Sequence, residues 1–158
     1  MADSYRIIVT GSRSWTATER IAFELGHAIG SLGAQPEDVT VVHGAALSGA
    51  DAIAERIARS MGCVTERHPA DWNAPCDARC KPGHRKRRAN GSDFCPAQGM
   101  YRNQEMVDAG ADITLAFIDR CESRGCEGKG PHWSHGSTQC ASLASSAGIE
   151  TRRFSDGR

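Results

Sequence analysis

The sequence has no long hydrophobic run, few aromatic residues and no net charge. No stretch approaches the roughly 18 apolar residues that a membrane span requires, and residues 1–11 lack the basic segment and apolar core of a secretory signal. Lys and Arg together number 19, as do Asp and Glu, so the whole chain shows no electrostatic attraction to nucleic acid or an acidic membrane. We therefore expect one soluble, cytoplasmic domain spanning residues 1–158.

The charge and the cysteines are unevenly distributed. Six basic residues and no acidic one lie between Arg79 and Arg88, so the remaining 148 residues carry a net charge of −6. The seven cysteines are an odd number in a chain with no export signal. This argues against a disulfide framework and favours reduced thiols, some of which could bind metal.

Short apolar segments alternate with segments of helical periodicity along the chain. We predict strands at residues 5–10, 39–43, 64–68, 113–117 and 150–154, and helices at 16–32, 51–61, 101–109 and 137–147. Two Cys- and Gly-rich inserts, at about 69–100 and 118–136, interrupt this order. The alternation predicts an open, doubly wound (Rossmann-like) parallel α/β sheet of about five strands.

Ligands of such sheets bind outside the carboxyl ends of the strands. Three loops lie there, at residues 10–15, 43–51 and 134–138, and each is rich in glycine and small or hydroxyl-bearing residues. Backbone amides and hydroxyls at a helix start suit an anion, although the same residues also serve turn geometry alone. The loops match neither the Walker phosphate loop nor the GxGxxG dinucleotide fingerprint.

Several segments together resemble a known family. They are VTGSRSW at 9–15, VHGAA at 42–46, GAD at 49–51, PADW at 69–72, YRNQEMV at 101–107, and AD and LAF at 111–112 and 115–117. The chain resembles the YspA-like (DUF2493) branch of the SLOG superfamily, whose members are common in actinobacteria and their phages. The resemblance implies a Rossmann-like fold and a pocket for a nucleotide or a nucleotide-derived ligand of the ADP-ribose type.

The candidate ligand-binding residues follow from these loops and from the resemblance. They are Gly11, Ser12, Arg13, Trp15, His43, Gly44, Ala45, Asp51, Trp72, Arg102, Asn103, Gly136, Ser137 and Thr138. Four of these have an alternative. Arg102 is either a phosphate clamp or an exposed helix residue, and Asn103 either orients a ribose or lies on the helix surface. Trp72 either stacks on a base or closes the end of the sheet, and His43 is either an acid/base or a buried, hydrogen-bonded side chain.

The same superfamily includes lysine decarboxylase-like phosphoribohydrolases, which carry a helical Arg and a PGGxGTxxE motif with a catalytic Glu. Arg102 lies where that Arg is expected, and Gly136-Ser137 is similar to the Gly-Thr pair, but residues 134–149 contain no carboxylate. The candidate catalytic residues are therefore Arg102, Glu105 and Asp71, with Asp51 as a further available acid. The missing Glu favours ligand binding, and an N-glycosidase or phosphoribohydrolase is the alternative.

The first insert has the ligand spacing C-x3-C-x3-H-x10-C, formed by Cys76, Cys80, His84 and Cys95. Four soft or borderline ligands in a segment with almost no apolar core predict a closed, structural zinc site. The alternative is a flexible loop with free thiols.

The second insert offers Cys121, Cys126, His132 and His135, with Cys140 as an alternative ligand. It predicts a second zinc ion, held by any four of these five residues or by three of them and a water. Such a site would fix the loop that carries Gly136 to Thr138. The remaining thiol, Cys63, is expected to be a small buried residue.

The basic run from Arg85 to Arg88 lies on the first insert. A zinc-knuckle nucleic-acid binder is therefore a third interpretation, although such a run is more often a solvated surface. No membrane partner is expected, and the sequence leaves open whether the chain forms a homo-oligomer.

Overall fold

The structure is a computed structural model that describes residues 4–155. Its elements in chain order are β1 (Tyr5–Gly11), α1 (Thr18–Ser31), β2 (Val39–His43), α2 (Ala50–Met61), β3 (Val64–Arg67), β4 (Lys86–Arg87), β5 (Asp93–Phe94), α3 (Gln98–Asp108), β6 (Ile113–Phe117), α4 (His135–Ser146) and β7 (Glu150–Phe154). Single 3-10 turns lie at Pro36–Asp38 and Arg124–Cys126.

Five of the strands form one parallel sheet in the order β3-β2-β1-β6-β7. Strand order reverses between β1 and β6, which places the topological switch point at the carboxyl end of β1. The predicted α/β fold class is confirmed, because the sheet is parallel, has five strands and is Rossmann-like in its winding.

Alternation along β1 assigns the two faces of the sheet. Ile7 and Val9 pack with buried residues of α1 and α2, whereas Ile8 packs with buried residues of α3 and α4. Every residue of β6 is buried, as expected for a strand inside a parallel sheet with both faces covered. Helices α3 and α4 therefore lie on one face of the sheet, and α1 and α2 on the other.

Two helix starts differ from the sequence prediction. Helix α3 begins at Gln98 rather than residue 101, because Trp72 packs against Gly99 and the Gln98 amide bonds to the Cys95 carbonyl. Helix α4 begins at His135 rather than residue 137, so its first residue is a candidate metal ligand. With these helix starts, the first insert runs from residue 68 to 97 and contains the hairpin β4–β5. The second insert runs from residue 118 to 134.

The two inserts contain very few buried side chains. Cys95 is the one buried residue between 69 and 97, and no residue between 120 and 134 is buried. Strands β4 and β5 form a two-residue antiparallel hairpin inside the first insert. Among the described residues, no helix has the length and apolar character needed to cross a membrane.

Candidate functional site

The first two strand-end loops touch each other at two glycines. A Cβ on Gly11 would overlap the Ala50 side chain and the Phe117 carbonyl oxygen, and one on Gly49 would overlap the backbone of Ser12 and Arg13. Gly49 also has φ of 74°, which favours glycine. These loops therefore approach more closely than any larger residue would allow.

Ser12 is the hydrogen-bonding centre of this contact. Its hydroxyl accepts the backbone N–H of Asp119 at 2.8 Å, and its carbonyl accepts the N–H groups of Trp15 and Ala50. Ser12 is 3% exposed, so its hydroxyl is used within the fold, where it orders the backbone of both loops.

Asp119 is a buried carboxylate that sequence reasoning missed. It follows β6 by two residues and accepts a hydrogen bond from the Ser14 hydroxyl at 2.9 Å. Its place just beyond the carboxyl end of a buried strand, beside the switch point, is the signal that could have identified it.

Trp15, predicted to contact ligand, lies in the core. Its side chain is 1% exposed, meets the Phe117 ring edge to face at 5.4 Å between centroids, and donates its indole N–H to the Ala17 carbonyl. This placement has a simple cause. The turn after β1 directs the indole under the α1 face, where burial of a large ring is favourable.

His43 ends β2 and is completely buried. Its Nδ1 accepts the Ala45 N–H at 3.1 Å, which assigns the proton to Nε2, and Nε2 has no hydrogen-bond partner within residues 4–155. Burial lowers the pKa of His43, although the Glu55 carboxylate 3.9 Å away acts in the opposite direction. The structure therefore holds the buried, hydrogen-bonded form of the two alternatives.

Arg102 reaches from α3 to the loop after β2. Its Nη1 donates to the carbonyls of Gly44 and His68, and its Nε donates to the Asn103 side chain. A Cβ on Gly44 would overlap this guanidinium, so a larger residue there would displace the end of the Arg102 side chain. Arg102 is thus fixed at the carboxyl edge, with its Nη2 free of hydrogen bonds to the described part of the chain.

Asp51 lies beneath Arg102 in the first turn of α2. The residue is 7% exposed, and its Oδ2 accepts the Ala46 N–H at 3.3 Å. Burial raises the pKa of Asp51, while the backbone hydrogen bond and the charge of Arg102 oppose that shift. A buried carboxyl with a raised pKa beside a fixed cation is typical of functional sites.

Asn103 joins α3 to the third strand-end loop. Its Nδ2 donates to the Gly136 carbonyl at 3.2 Å and to the Gln139 side chain at 2.8 Å. The structure thus brings Arg102, Asn103 and Gly136 together. Ser137 is buried with its hydroxyl 3.0 Å from that of Ser134, whereas the buried Oγ1 of Thr138 has no partner within the described residues.

We call this group the strand-end cluster. It comprises Gly11 to Arg13, Gly44, Ala45, Asp51, Arg102, Asn103 and Gly136 to Thr138. The other candidates lie at its margin. Glu105 and Asp71 are exposed, and Trp72 packs edge to face on Phe94, with ring centroids 6.2 Å apart, and against Gly99. Trp72 therefore holds the first insert to the start of α3.

The first Cys/His set is gathered at that same helix start. One ligand atom each from Cys76, Cys80, His84 and Cys95 lies within 4.8 Å of the others. The Cys80 and Cys95 sulfurs are 3.7 Å apart. A tetrahedral zinc ion with Zn–S bonds of about 2.3 Å requires about 3.8 Å, whereas a disulfide requires about 2.05 Å. The residues therefore fit a metal ion.

Neighbouring donors support the same set. The Tyr101 hydroxyl lies 3.2 Å from the Cys80 sulfur, and Arg85 Nη1 donates to the Cys76 sulfur at 3.5 Å. Such contacts to thiolates are typical of the outer shell of metal centres. Tyr101 directly precedes Arg102 in α3. The first Cys/His set therefore contacts a chain neighbour of the strand-end cluster.

The second set, Cys121, Cys126, His132 and His135, also lies within 4.8 Å. The two histidine Nε2 atoms are 3.0 Å apart, and His132 Nδ1 lies 2.8 Å from the Gly130 carbonyl, which leaves Nε2 for a metal. The alternative ligand Cys140 is not part of this set. It is buried in the core among residues of α3 and α4, and burial raises its pKa to about 11.

Internal contacts occupy part of the basic run. Arg85 pairs with Asp93 at 2.8 Å and donates to the Ala74 carbonyl, and Arg88 donates to the Asp93 carbonyl and lies over the Phe94 ring. Lys86 and Arg87 remain exposed on β4. Cys63 is buried, as predicted, and burial raises its pKa.

The five-stranded parallel sheet, with helices packed on both faces, defines a Rossmann-like α/β domain. Comparison with known proteins identifies the family. The sequence model of the "YspA, cpYpsA-related SLOG family" matches residues 5–74. The Gene 61 protein of Mycobacterium phage D29 is 34% identical over 161 residues, covering 96% of this chain and 97% of that protein. The chain belongs to the same family as that phage protein, within the SLOG superfamily.

Replacing His43 by Gln tests the buried neutral imidazole. A histidine whose pKa is lowered in the folded state contributes stability above its unfolded pKa of about 6.5, and this is lost as the pH falls below that value. The wild type should therefore lose stability between pH 8 and pH 5.5 more steeply than His43→Gln, measured by urea denaturation. The exposed-site control His27→Gln should keep the wild-type slope, and equal slopes in all three proteins would contradict the assignment.

Proposed function

We propose that this protein binds a nucleotide or a nucleotide-derived ligand of the ADP-ribose type at the strand-end cluster, and senses, sequesters or processes it. The family supports a nucleotide-related function in general terms. We also propose that the chain belongs to the YspA-like branch of the superfamily and is related to its phosphoribohydrolases.

One observation carries the proposal: Arg102 is positioned by main-chain carbonyls and not by an ion pair. Burial lowers the pKa of Arg102, with Asp51 as its first opposing charge. A partly buried guanidinium with a free Nη2 is well suited to a phosphate, because charge-assisted hydrogen bonds to phosphate are strong. The amides of Gly136 and Ser137 at the start of α4 lie nearby, beside the contact of Asn103 with Gly136, and favour the same anion.

Replacing Arg102 by Ala should weaken binding of ADP-ribose or AMP about tenfold or more, because a hydrogen-bonded charge is lost. Isothermal calorimetry and ligand-induced shifts in melting temperature measure the effect. Arg56→Ala, which removes an exposed arginine from α2, is the matched control and should bind like wild type. Absence of any nucleotide-induced shift in the wild type would contradict the proposal.

We further propose that zinc occupies both Cys/His sets and that its role is structural. Four protein ligands complete a tetrahedral site and leave no open position for catalysis. Each set lies at a helix start, the first beside α3 and the second at His135 of α4. Zinc would therefore fix the helices that carry Arg102, Asn103 and Gly136.

Elemental analysis of the purified protein should find about two zinc ions per chain. Cys95→Ala and Cys126→Ala should each remove about one, because each deletes a ligand of a different set. Cys63→Ala is the matched cysteine control and should retain both. Less than about one zinc ion in the wild type would remove the metal proposal.

N-glycosidic hydrolysis of nucleotides is the second candidate function, and Asp51 favours it. Its carboxyl is buried, its pKa is raised, and it lies beside Arg102, whereas Glu105 and Asp71 are exposed. A carboxyl with these properties could replace the catalytic Glu that the α4 segment lacks.

If this activity exists, Asp51→Asn should lower the rate of base release from nucleoside monophosphates by about a hundredfold. Glu105→Gln and Asp71→Asn should leave it unchanged, since both side chains lie at the solvent surface. Base release, followed by liquid chromatography, that survives Asp51→Asn would exclude Asp51 as the acid.

We propose that residues 1–158 act as one cytoplasmic domain. Nucleic-acid binding through the basic run receives less support, because Arg85 and Arg88 are engaged within the insert.

A further inference from the structure

Two hollows lie on either side of Trp133, in the insert before α4. The first has a volume of about 220 Å³ and is lined by Ile118, Trp133, Thr138, Arg153, Phe154 and Ser155. The second has a volume of about 240 Å³ and is lined by Arg120, Pro131, His132 and Trp133. Trp133 is shared by both and is 49% exposed.

The backbone that presents Trp133 is fixed. Trp133 bridges Arg120 in an antiparallel pairing, and hydrogen bonds flank it on both sides, from the Cys121 N–H to the His132 carbonyl and from the Ser134 N–H to the Asp119 carbonyl. A half-exposed indole on a fixed backbone differs from an aromatic residue on a free loop, because little conformational entropy remains to be lost on stacking.

Arginine is the charged residue type that lines the two hollows. Each hollow includes an arginine, Arg153 in the first and Arg120 in the second, and neither is lined by a carboxylate. An exposed aromatic face with cations beside it complements a flat aromatic group that carries phosphate, which is the chemistry of a nucleotide.

Thr138 connects the first hollow with the strand-end cluster. It lines the hollow, belongs to the first turns of α4 close to Gly136, and has a buried Oγ1 without a partner in the described part of the chain. A buried hydroxyl without a hydrogen bond is unfavourable, so a rotation of the Thr138 side chain that brings this hydroxyl to a ligand atom in the hollow would be favourable.

We propose that the first hollow is the nucleobase subsite of the ligand, in which the base stacks on Trp133 beside Arg153 and the phosphate lies toward Arg102. This inference rests on the proposed nucleotide-binding function and adds the position of the base to it. The base is held by stacking and by the Thr138 hydroxyl. Contact with the face of a purine ring therefore contributes more to binding than hydrogen bonds to its edges.

Tryptophan fluorescence of the metal-loaded protein tests this directly, with AMP and ribose 5-phosphate as the probes with and without a base. Trp15 is buried and Trp72 is packed against α3, so AMP should quench the exposed Trp133, whereas ribose 5-phosphate should not. Trp133→Phe should remove the quenching and keep the AMP affinity within about threefold, because phenylalanine still stacks.

Calorimetry on further variants completes the test. Trp133→Ala should weaken AMP binding about tenfold and leave ribose 5-phosphate binding unchanged. Arg153→Gln should also weaken AMP binding. The matched control Arg152→Gln should not, since Arg152 pairs with Glu150 and contacts Ser31 of α1.

Three results would overturn the inference, and they are distinguishable. Wild-type AMP affinity in Trp133→Ala, without quenching in the wild type, would remove the subsite and leave the proposed function standing. Binding of neither AMP nor ADP-ribose to the wild type would contradict the proposed function itself. Much tighter, strongly salt-dependent binding of single-stranded oligonucleotides than of AMP would assign the hollows to nucleic acid.

Discussion

The candidate site depends on how two polar inserts are ordered without a hydrophobic core. Between residues 69 and 97 the single buried side chain is Cys95, and residues 120–134 bury none. Burial of apolar surface is the main driving force for folding, so segments this polar require another source of order. In each insert four cysteine and histidine side chains converge within 4.8 Å, and a metal ion is the group whose chemistry matches that convergence.

The position of these sets connects them with function. The first set contacts α3 through Tyr101, the neighbour of Arg102, and the second includes His135, the neighbour of Gly136. Asn103 then links the two helices through the Gly136 carbonyl and the Gln139 side chain. Metal binding and ligand binding would thus act on the same two helix starts, and each would favour the other by linkage.

Much of the fold could be predicted from the sequence because its signals are local. Apolar runs such as residues 39–43 and 113–117 can be buried only as inner strands, and both strands have the predicted bounds. Helix starts were less predictable, because α3 and α4 begin where long-range contacts hold them, at Gly99 under Trp72 and at His135. The two four-residue Cys/His sets could be predicted from the sequence, because cysteine and histidine are infrequent residues and four of them lie close together in each insert.

The candidate site was predictable only in part. Glycines and hydroxyls at strand ends indicate where a ligand could lie, but they do not show which side chains face it. The Trp15 side chain lies in the core, and Cys140 is packed among residues of α3 and α4. Asp119 is buried at the site but belongs to no recognisable sequence motif. Each of these outcomes depends on the direction of one side chain in the folded chain.

Hydrogen exchange measured by mass spectrometry on metal-loaded and metal-stripped protein tests the central claim most directly. The account predicts that removing the metal exposes hydrogen-bonded amides of both inserts and of the starts of α3 and α4, including those of Tyr101 and Thr138. The strands β1, β2 and β6 should keep their protection, because their burial does not depend on the inserts. Equal loss of protection across the sheet, or no change at the two helix starts, would contradict it.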